Sequence, residues 1–160
     1  MSDYTKEVRK RGCNLLMVEG NRERNKLFAL IFRCFPEIGI NMEDIWIYGT
    51  NIYMLYEDVV REYGETWTED DIDLSFVISR KQSREEVCYK DDFVNILLVF
   101  DYERHDPNFS EEKIKQMQDH FADAADAGRL YINYPMIESY QHLEGLPDEH
   151  YAEYNFALVD

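Results

Sequence analysis

Acidic side chains follow two apolar runs that lie far apart in the chain. Glu19 comes directly after the run at 13–18, and Asp101 and Glu103 follow the run at 93–100. Both runs are short, mainly aliphatic and without alternation, which is typical of strands buried on both faces. In open α/β sheets, ligands bind beyond the carboxyl ends of such strands. The sequence therefore predicts a candidate metal site built from these carboxylates.

The type and spacing of these acids suit a hard divalent cation. Mg²⁺ prefers oxygen ligands and is usually held by one or two carboxylates together with water and substrate phosphate. Side chains two residues apart on an extended strand point the same way, so Asp101 and Glu103 can reach one ion. Crowded carboxylates raise each other's proton affinity, and a glutamate perturbed in this way can transfer protons. The plain alternative is that acids follow strands because loops are solvated.

The elements that must position these acids alternate between strands and helices. Strands are predicted at 13–18, 44–49, 72–78, 93–100 and 130–133, and helices at 21–34, 51–64, 110–128 and from Pro135 onward. Helix caps are predicted at Asn21, Asn51, Ser110, Gly64 and Gly128. This order predicts an α/β fold, in which helices cover both faces of a mostly parallel sheet. We expect residues 1–160 to form a single domain, whose last apolar run is either a final strand or a truncated element.

The composition limits what the chain can bind and where it can work. A formal net charge of -16 disfavours unaided binding to nucleic acid, because phosphate contacts need clustered Lys and Arg. Divalent metal or a basic partner can offset the repulsion, and we expect a protein partner or a homo-oligomer. No run reaches the roughly 18 apolar residues of a membrane span. An odd count of 3 cysteines without a C-x-x-C pair predicts reduced thiols and a cytoplasmic location.

Three segments of the chain together resemble motifs of Toprim domains, the catalytic domains of topoisomerases, bacterial primases and OLD-type nucleases. Residues 15–20, Leu-Leu-Met-Val-Glu-Gly before a predicted helix, resemble the opening motif. Residues 101–103, Asp-Tyr-Glu, are similar to the acid-x-acid motif, although the last acid is Glu rather than Asp. Residues 131–139 resemble the Asn-Pro-x-x-Glu-like element of RloB-like Toprim proteins from bacterial anti-phage loci.

The resemblance implies an activity and assigns roles to the acids. In Toprim domains the first-motif Glu acts as a general acid or base, and the acid-x-acid pair binds Mg²⁺. Carried over, Glu19 is catalytic, and Asp101 and Glu103 hold Mg²⁺ or Mn²⁺. Glu138, one turn into the last predicted helix, is either a further ligand or a carboxylate that interacts only with the helix dipole.

Two functions follow from the resemblance. The first is a Mg²⁺-dependent Toprim-like nuclease that cleaves phosphodiesters of DNA or RNA in bacterial anti-phage defence. The alternative is a catalytically inactive Toprim-like module that docks on a basic partner protein such as an ATPase.

Overall fold

A five-stranded sheet forms the centre of the molecule. The computed structural model describes residues 13–134. The strands are β1 (Asn14–Val18), β2 (Ile45–Ile47), β3 (Asn95–Asp101), β4 (Ala122–Asp123) and β5 (Gly128–Asn133). Their order in the sheet is β2-β1-β3-β5-β4, and every pairing is parallel except that of β4 with β5. The predicted α/β fold with a mostly parallel sheet is confirmed.

Helical segments pack against both faces of the sheet. The first, α1, covers residues 21–34 and consists of a π-helical turn at Glu23–Phe28 followed by an α-helix at Ala29–Cys34. The others are α2 (Ile52–Tyr63), α3 (Leu74–Lys81) and α4 (Glu111–His120). Alternate residues of β1 point to opposite faces, so Leu16 and Val18 pack under α1, and Leu15 and Met17 belong to the larger core under α2, α3 and α4. Within residues 13–134, no helix is both long and apolar enough to cross a membrane.

The strand order reverses direction at β1, so that β2 and β3 lie on opposite sides of this strand. From β1 the chain passes through α1 to β2 on one side, and it then returns past β1 to place β3 on the other side. Val18 lies opposite Val99 in the parallel β1–β3 pairing, so both strands end at the same edge of the sheet. Such a reversal leaves a crevice at the carboxyl ends of the strands, where α/β proteins bind their ligands.

The predicted strand at 72–78 is wrong, because this segment contains the α-helix Leu74–Lys81. The side chain of Asp73 caps the helix by accepting a hydrogen bond from the Phe76 N–H at 2.9 Å. Leu74, Val77 and Ile78 are buried, which is a spacing of three and four residues. The apolar residues of this segment satisfy both the strand and the helix periods, and the cap selects the helix.

The helix predicted at 110–128 begins correctly but ends eight residues too late. Ser110 caps it by accepting a hydrogen bond from the Lys113 N–H at 3.3 Å, and the helix ends at His120. The next residues form β4 and turn back onto β5, which begins at Gly128 rather than at residue 130. Ala124 and Ala125 therefore belong to a hairpin, not to the inner face of a helix.

Other boundaries and caps are largely as predicted. Asn51 caps α2 through the Met54 N–H at 3.1 Å, and Gly64 follows its last residue with a φ of 86°. Asn21 is helical rather than a cap; instead, Glu23 accepts a hydrogen bond from the Gly20 N–H at 2.9 Å. The helix predicted from Pro135, including Glu138, and the apolar C-terminal run lie outside the described residues.

Two glycines offer a test of how tightly β5 is held against β3. Gly128 and Gly64 both have positive φ, of 123° and 86°, which side chains other than glycine rarely adopt. A Cβ at Gly128 would lie 3.2 Å from Cγ2 of Ile96, whereas a Cβ at Gly64 would meet nothing within 4 Å. We expect Gly64→Ala to cost about 1–3 kcal/mol of unfolding free energy from backbone strain, and Gly128→Ala to cost more. Urea denaturation measures both; an equal loss would show that Ile96 yields freely.

Candidate active site

Glu19 follows β1, and its carboxylate reaches the end of β3. The Gly49 N–H donates to the Glu19 carbonyl oxygen at 2.8 Å, which ties the backbone after β1 to the chain leaving β2. Oε2 of Glu19 accepts a hydrogen bond from the Asp101 backbone N–H at 3.2 Å. The first predicted acid therefore lies in the crevice between β1 and β3, against the residue that carries the second.

Asp101 is the last residue of β3 and its side chain is almost fully buried, with 4% of the residue exposed. It lies opposite Asn133 in the β3–β5 pairing, and the Asn133 Nδ2 donates to Asp101 Oδ1 at 2.9 Å. A buried carboxylate needs such a partner, because its charge loses the stabilisation of water. The amide fixes one oxygen of Asp101 at the carboxyl end of the sheet.

Glu103 is the third acid at this site, but it does not lie on an extended strand as predicted. β3 ends at Asp101, and Glu103 has a φ of 20°, a conformation that residues other than glycine rarely adopt and that clusters at functional sites. Its Oε2 accepts a hydrogen bond from Asn51 Nδ2 at 3.4 Å, and its carbonyl oxygen accepts one from the Asp106 N–H at 3.0 Å. A turn and an amide from the start of α2, not strand alternation, bring Glu103 back to the crevice.

Burial and the two neighbouring carboxyl groups perturb the pKa of Glu19. Burial raises the pKa of Glu19 from its ordinary 4.5 to about 8, and the charges of Glu103 and Asp101 and a side-chain hydrogen bond with Glu103 act in the same direction. The backbone N–H of Asp101 opposes the rise by stabilising the carboxylate. Glu19 therefore mostly retains its proton at neutral pH. Acids displaced this far from their usual pKa are found preferentially at functional sites.

An open cleft of about 280 Å³ gives access to these acids. Its walls come from the turn after β1, the start of α1, the loop after β2 and the end of β3: Glu19, Gly20, Asn21, Arg22, Glu23, Gly49, Thr50, Asp101 and Glu103. This volume lies just below the range of pockets that bind drug-sized molecules. The cleft is of a size for a phosphate group with its water.

Comparison with models of known protein families found no match to the chain. Comparisons with curated proteins and with solved structures found no significant similarity. The Toprim resemblance rests on the quoted motifs and stays a prediction.

The site fits Mg²⁺ in the chemistry of its donors but not as a complete cage. Across residues 13–134, no three His, Cys, Asp or Glu side chains are arranged so as to hold a metal ion. Mg²⁺ does not require such a cage, because one or two carboxylates with water usually suffice. Asp101 and Glu103 supply hard oxygen ligands, and the raised pKa of Glu19 marks a place where added positive charge is favourable. Glu138, the further predicted ligand, lies outside the described residues.

Two amide side chains were missed as parts of the site. Asn51 was predicted only as a helix cap, yet its Nδ2 also contacts Glu103 and donates to Asp106 Oδ2 at 2.7 Å. Asn133 lies within the third quoted motif, which assigns it no role, and its side chain holds Asp101. The sequence does indicate that Asn51 lies near the site, because this cap follows the carboxyl end of a predicted strand. The position of Asn133 depends on the register in which β3 and β5 pair, and one sequence does not reveal that register.

Substitution of Asn51 tests whether its amide offsets the crowded charges. Asn51→Ser keeps a good cap for α2 and loses the amide Nδ2 that reaches Glu103 and Asp106, whereas Asn51→Asp keeps the cap and adds a charge facing these two acids. We expect the aspartate variant to be less stable than the serine variant by about 1–3 kcal/mol at pH 8, and the difference to shrink toward pH 4. Urea denaturation at the two pH values measures this, and equal stability at pH 8 would contradict it.

Proposed function

We propose that this protein is a metal-dependent nuclease that cleaves phosphodiesters of DNA or RNA through a Toprim-like site. One observation carries the proposal: Glu19, Asp101 and Glu103 meet at the strand reversal, where the pKa of Glu19 is raised to about 8. A titratable group shifted toward neutral pH, beside carboxylates suited to a hard cation, favours phosphoryl chemistry. The setting in anti-phage defence implied by the motif resemblance stays a prediction.

Glu19 is the proposed proton-transfer group. Hydrolysis joins a water oxygen to phosphorus and breaks the bond from phosphorus to the leaving sugar oxygen, which takes up a proton. With a pKa of about 8, Glu19 holds a proton at neutral pH and can give it to that oxygen. Positive charge near Asp101 and Glu103 would lower this pKa, so that the carboxyl group could also accept a proton from water.

Asp101 and Glu103 are the proposed ligands of Mg²⁺ or Mn²⁺. When bound, such an ion supplies charge stabilisation for the phosphoryl oxygens and activates water. Asn133 and Asn51 act as positioning residues, because each donates a hydrogen bond to one of these carboxylates.

Metal-dependent cleavage tests the proposal. Purified protein is incubated with single-stranded and double-stranded DNA, RNA and transfer RNA, with Mg²⁺, with Mn²⁺, or with EDTA. We expect cleavage of at least one substrate with metal and none with EDTA. Cleavage that persists in EDTA, or at an equal rate in Glu19→Gln, would come from a contaminant and would contradict the proposal.

A binding module without catalysis is the second candidate function. The net charge of -16 suits docking on a basic protein such as an ATPase. No cleavage with either metal, together with salt-sensitive association with a basic partner, would favour this function over the nuclease.

A further inference from the structure

A second cleft, of about 250 Å³, lies between α2 and α3, and half of its lining residues are cationic. Its lining residues are Asp58, Arg61, Glu62, Val77, Arg80 and Lys81. Three cations face two carboxylates there, so the local charge is positive although the chain as a whole carries -16. A local reversal of sign in so acidic a protein is a candidate site for an anion.

A buried acid holds two of the three cations of this cleft in place. Asp58 is only 6% exposed and accepts hydrogen bonds from Lys81 Nζ, from the Tyr48 hydroxyl and, at 3.0 Å, from Arg61 NH1. Burial, and then the contact with Asp58, raise the pKa of Tyr48, so its hydroxyl stays protonated. Lys81 also donates to that hydroxyl at 3.0 Å. The ammonium group is therefore fixed before any ligand arrives.

The internal ion pairs leave hydrogen-bond donors unused. Arg61 and Arg80 each have five N–H groups but make one protein hydrogen bond apiece among the described residues, to Asp58 and to Glu62. Their side chains are 72% and 58% exposed. Lys81 has a third N–H beyond the two that bind Asp58 and Tyr48. Exposed guanidinium groups beside a fixed ammonium form a set of donors that suits the oxygens of a phosphate.

The cation cleft and the acid cleft flank one short segment of chain. Tyr48, whose hydroxyl contacts Lys81, is followed directly by Gly49 and Thr50, which line the cleft that contains Glu19. Only a ligand with several linked phosphates has a second group to place at the acid cleft. A free phosphate would gain nothing from this proximity.

We propose that the cleft formed by Arg61, Arg80 and Lys81 binds a backbone phosphate of a single-stranded nucleic acid whose neighbouring phosphodiester lies at the acid cleft. The proposal rests on the proposed nuclease function for the identity of the polymer. The rest of the surface is acidic and repels phosphate, so contacts with these cations supply the affinity. Such contacts hold the strand without recognising its base sequence.

Binding of short oligonucleotides tests the site. Fluorescence anisotropy of labelled 12-nucleotide DNA and RNA is measured with Mg²⁺ on the Glu19→Gln protein, so that the strand stays intact. We add R61Q/R80Q. It removes the exposed Arg80–Glu62 pair, whose loss costs little stability. It also removes Arg61 from the buried Asp58, which keeps its contacts with Lys81 and Tyr48. Affinity is expected to fall on the order of tenfold. The slope of log K against log salt is expected to flatten by roughly 0.7, because one phosphate is no longer neutralised.

A charge-matched control separates a site from general electrostatics. R33Q/K115Q removes two exposed cations, on α1 and α4, away from both clefts, and it is expected to leave affinity and salt slope nearly unchanged. Equal losses in the two double variants would overturn the proposal. Unchanged binding in R61Q/R80Q, or no oligonucleotide binding by any variant, would also overturn it.

Two further outcomes separate this proposal from the nuclease function. Binding that depends on Arg61 and Arg80 in a protein that cleaves nothing would remove the nuclease function but support the phosphate site. Binding of a nucleoside monophosphate, without binding of oligonucleotide, would overturn the assignment to a polymer.

Discussion

Glu19→Gln is expected to lower the rate of phosphodiester cleavage by about 10²–10⁴-fold, the usual contribution of a general acid or base. Glutamine has nearly the same shape and its oxygen can still accept the hydrogen bond from the Asp101 N–H. It cannot exchange a proton, so the loss should fall on kcat rather than on substrate binding. Single-turnover cleavage at saturating protein measures this step. Asp119→Asn, on the exposed surface of α4, is the matched control and should cleave at the wild-type rate.

The same substitution should change how stability depends on pH. The pKa of Glu19 is about 8 in the folded protein and near 4.5 when unfolded, so the folded state binds the extra proton between these values. Stability therefore falls as pH rises from 4.5 to 8, by up to about 1.4 kcal/mol per pH unit from this group. Glu19→Gln removes this contribution, so the free energy of unfolding of the variant should increase relative to that of the wild type as pH rises. Urea denaturation from pH 5 to 9 tests the sign; parallel curves would contradict a raised pKa.

Mg²⁺ is expected to raise the melting temperature of the wild type by mass action. At a hundredfold excess over its dissociation constant, an ion stabilises by about 2.7 kcal/mol, which is roughly 5–10 °C for a domain of this size. The shift should be larger at pH 8 than at pH 6, because the proton on Glu19 competes with the ion. Differential scanning calorimetry, with sodium chloride at matched ionic strength, measures the effect.

Two variants locate the ion. Asp101→Asn should abolish the Mg²⁺-dependent shift, since the neutral amide is a weaker ligand at the end of β3, while Asp119→Asn should retain it. A shift that survives in Asp101→Asn would place the ion elsewhere. No shift for the wild type at millimolar metal would favour the binding module over the nuclease.

The two strands that precede the acids could be predicted because their apolar runs are continuous and bounded by polar residues. The continuous aliphatic segments before Glu19 and Asp101 favour strands that are covered on both faces, although Leu97 and Val99 of β3 are only partly buried. Parallel pairing of β1 with β3 then brings both strand ends to one edge of the sheet. The helix at Leu74–Lys81 could not be separated from a strand, because its short apolar pattern satisfies both periods. The end of α4 was missed because alanines after His120 favour a helix, whereas pairing with β5 favours a hairpin.

The contacts that hold the site were harder to predict than its acids. Asn133 faces Asp101 only because β3 and β5 pair in one particular register, which no local pattern specifies. The position of Glu103 depends on a backbone turn with positive φ at a residue other than glycine. The residue types suggest the proposed chemistry, whereas long-range pairing sets the geometry of the site.

The connection from β2 to α2 has an exact length requirement because four consecutive residues serve different tasks. Tyr48 contacts the basic cleft, Gly49 and Thr50 line the acidic one, and Asn51 both starts the helix and holds Glu103. A single inserted residue would misalign all of these at once, although surface loops usually tolerate such changes. Natural variation in this segment should therefore take the form of substitutions, with insertions and deletions selected against.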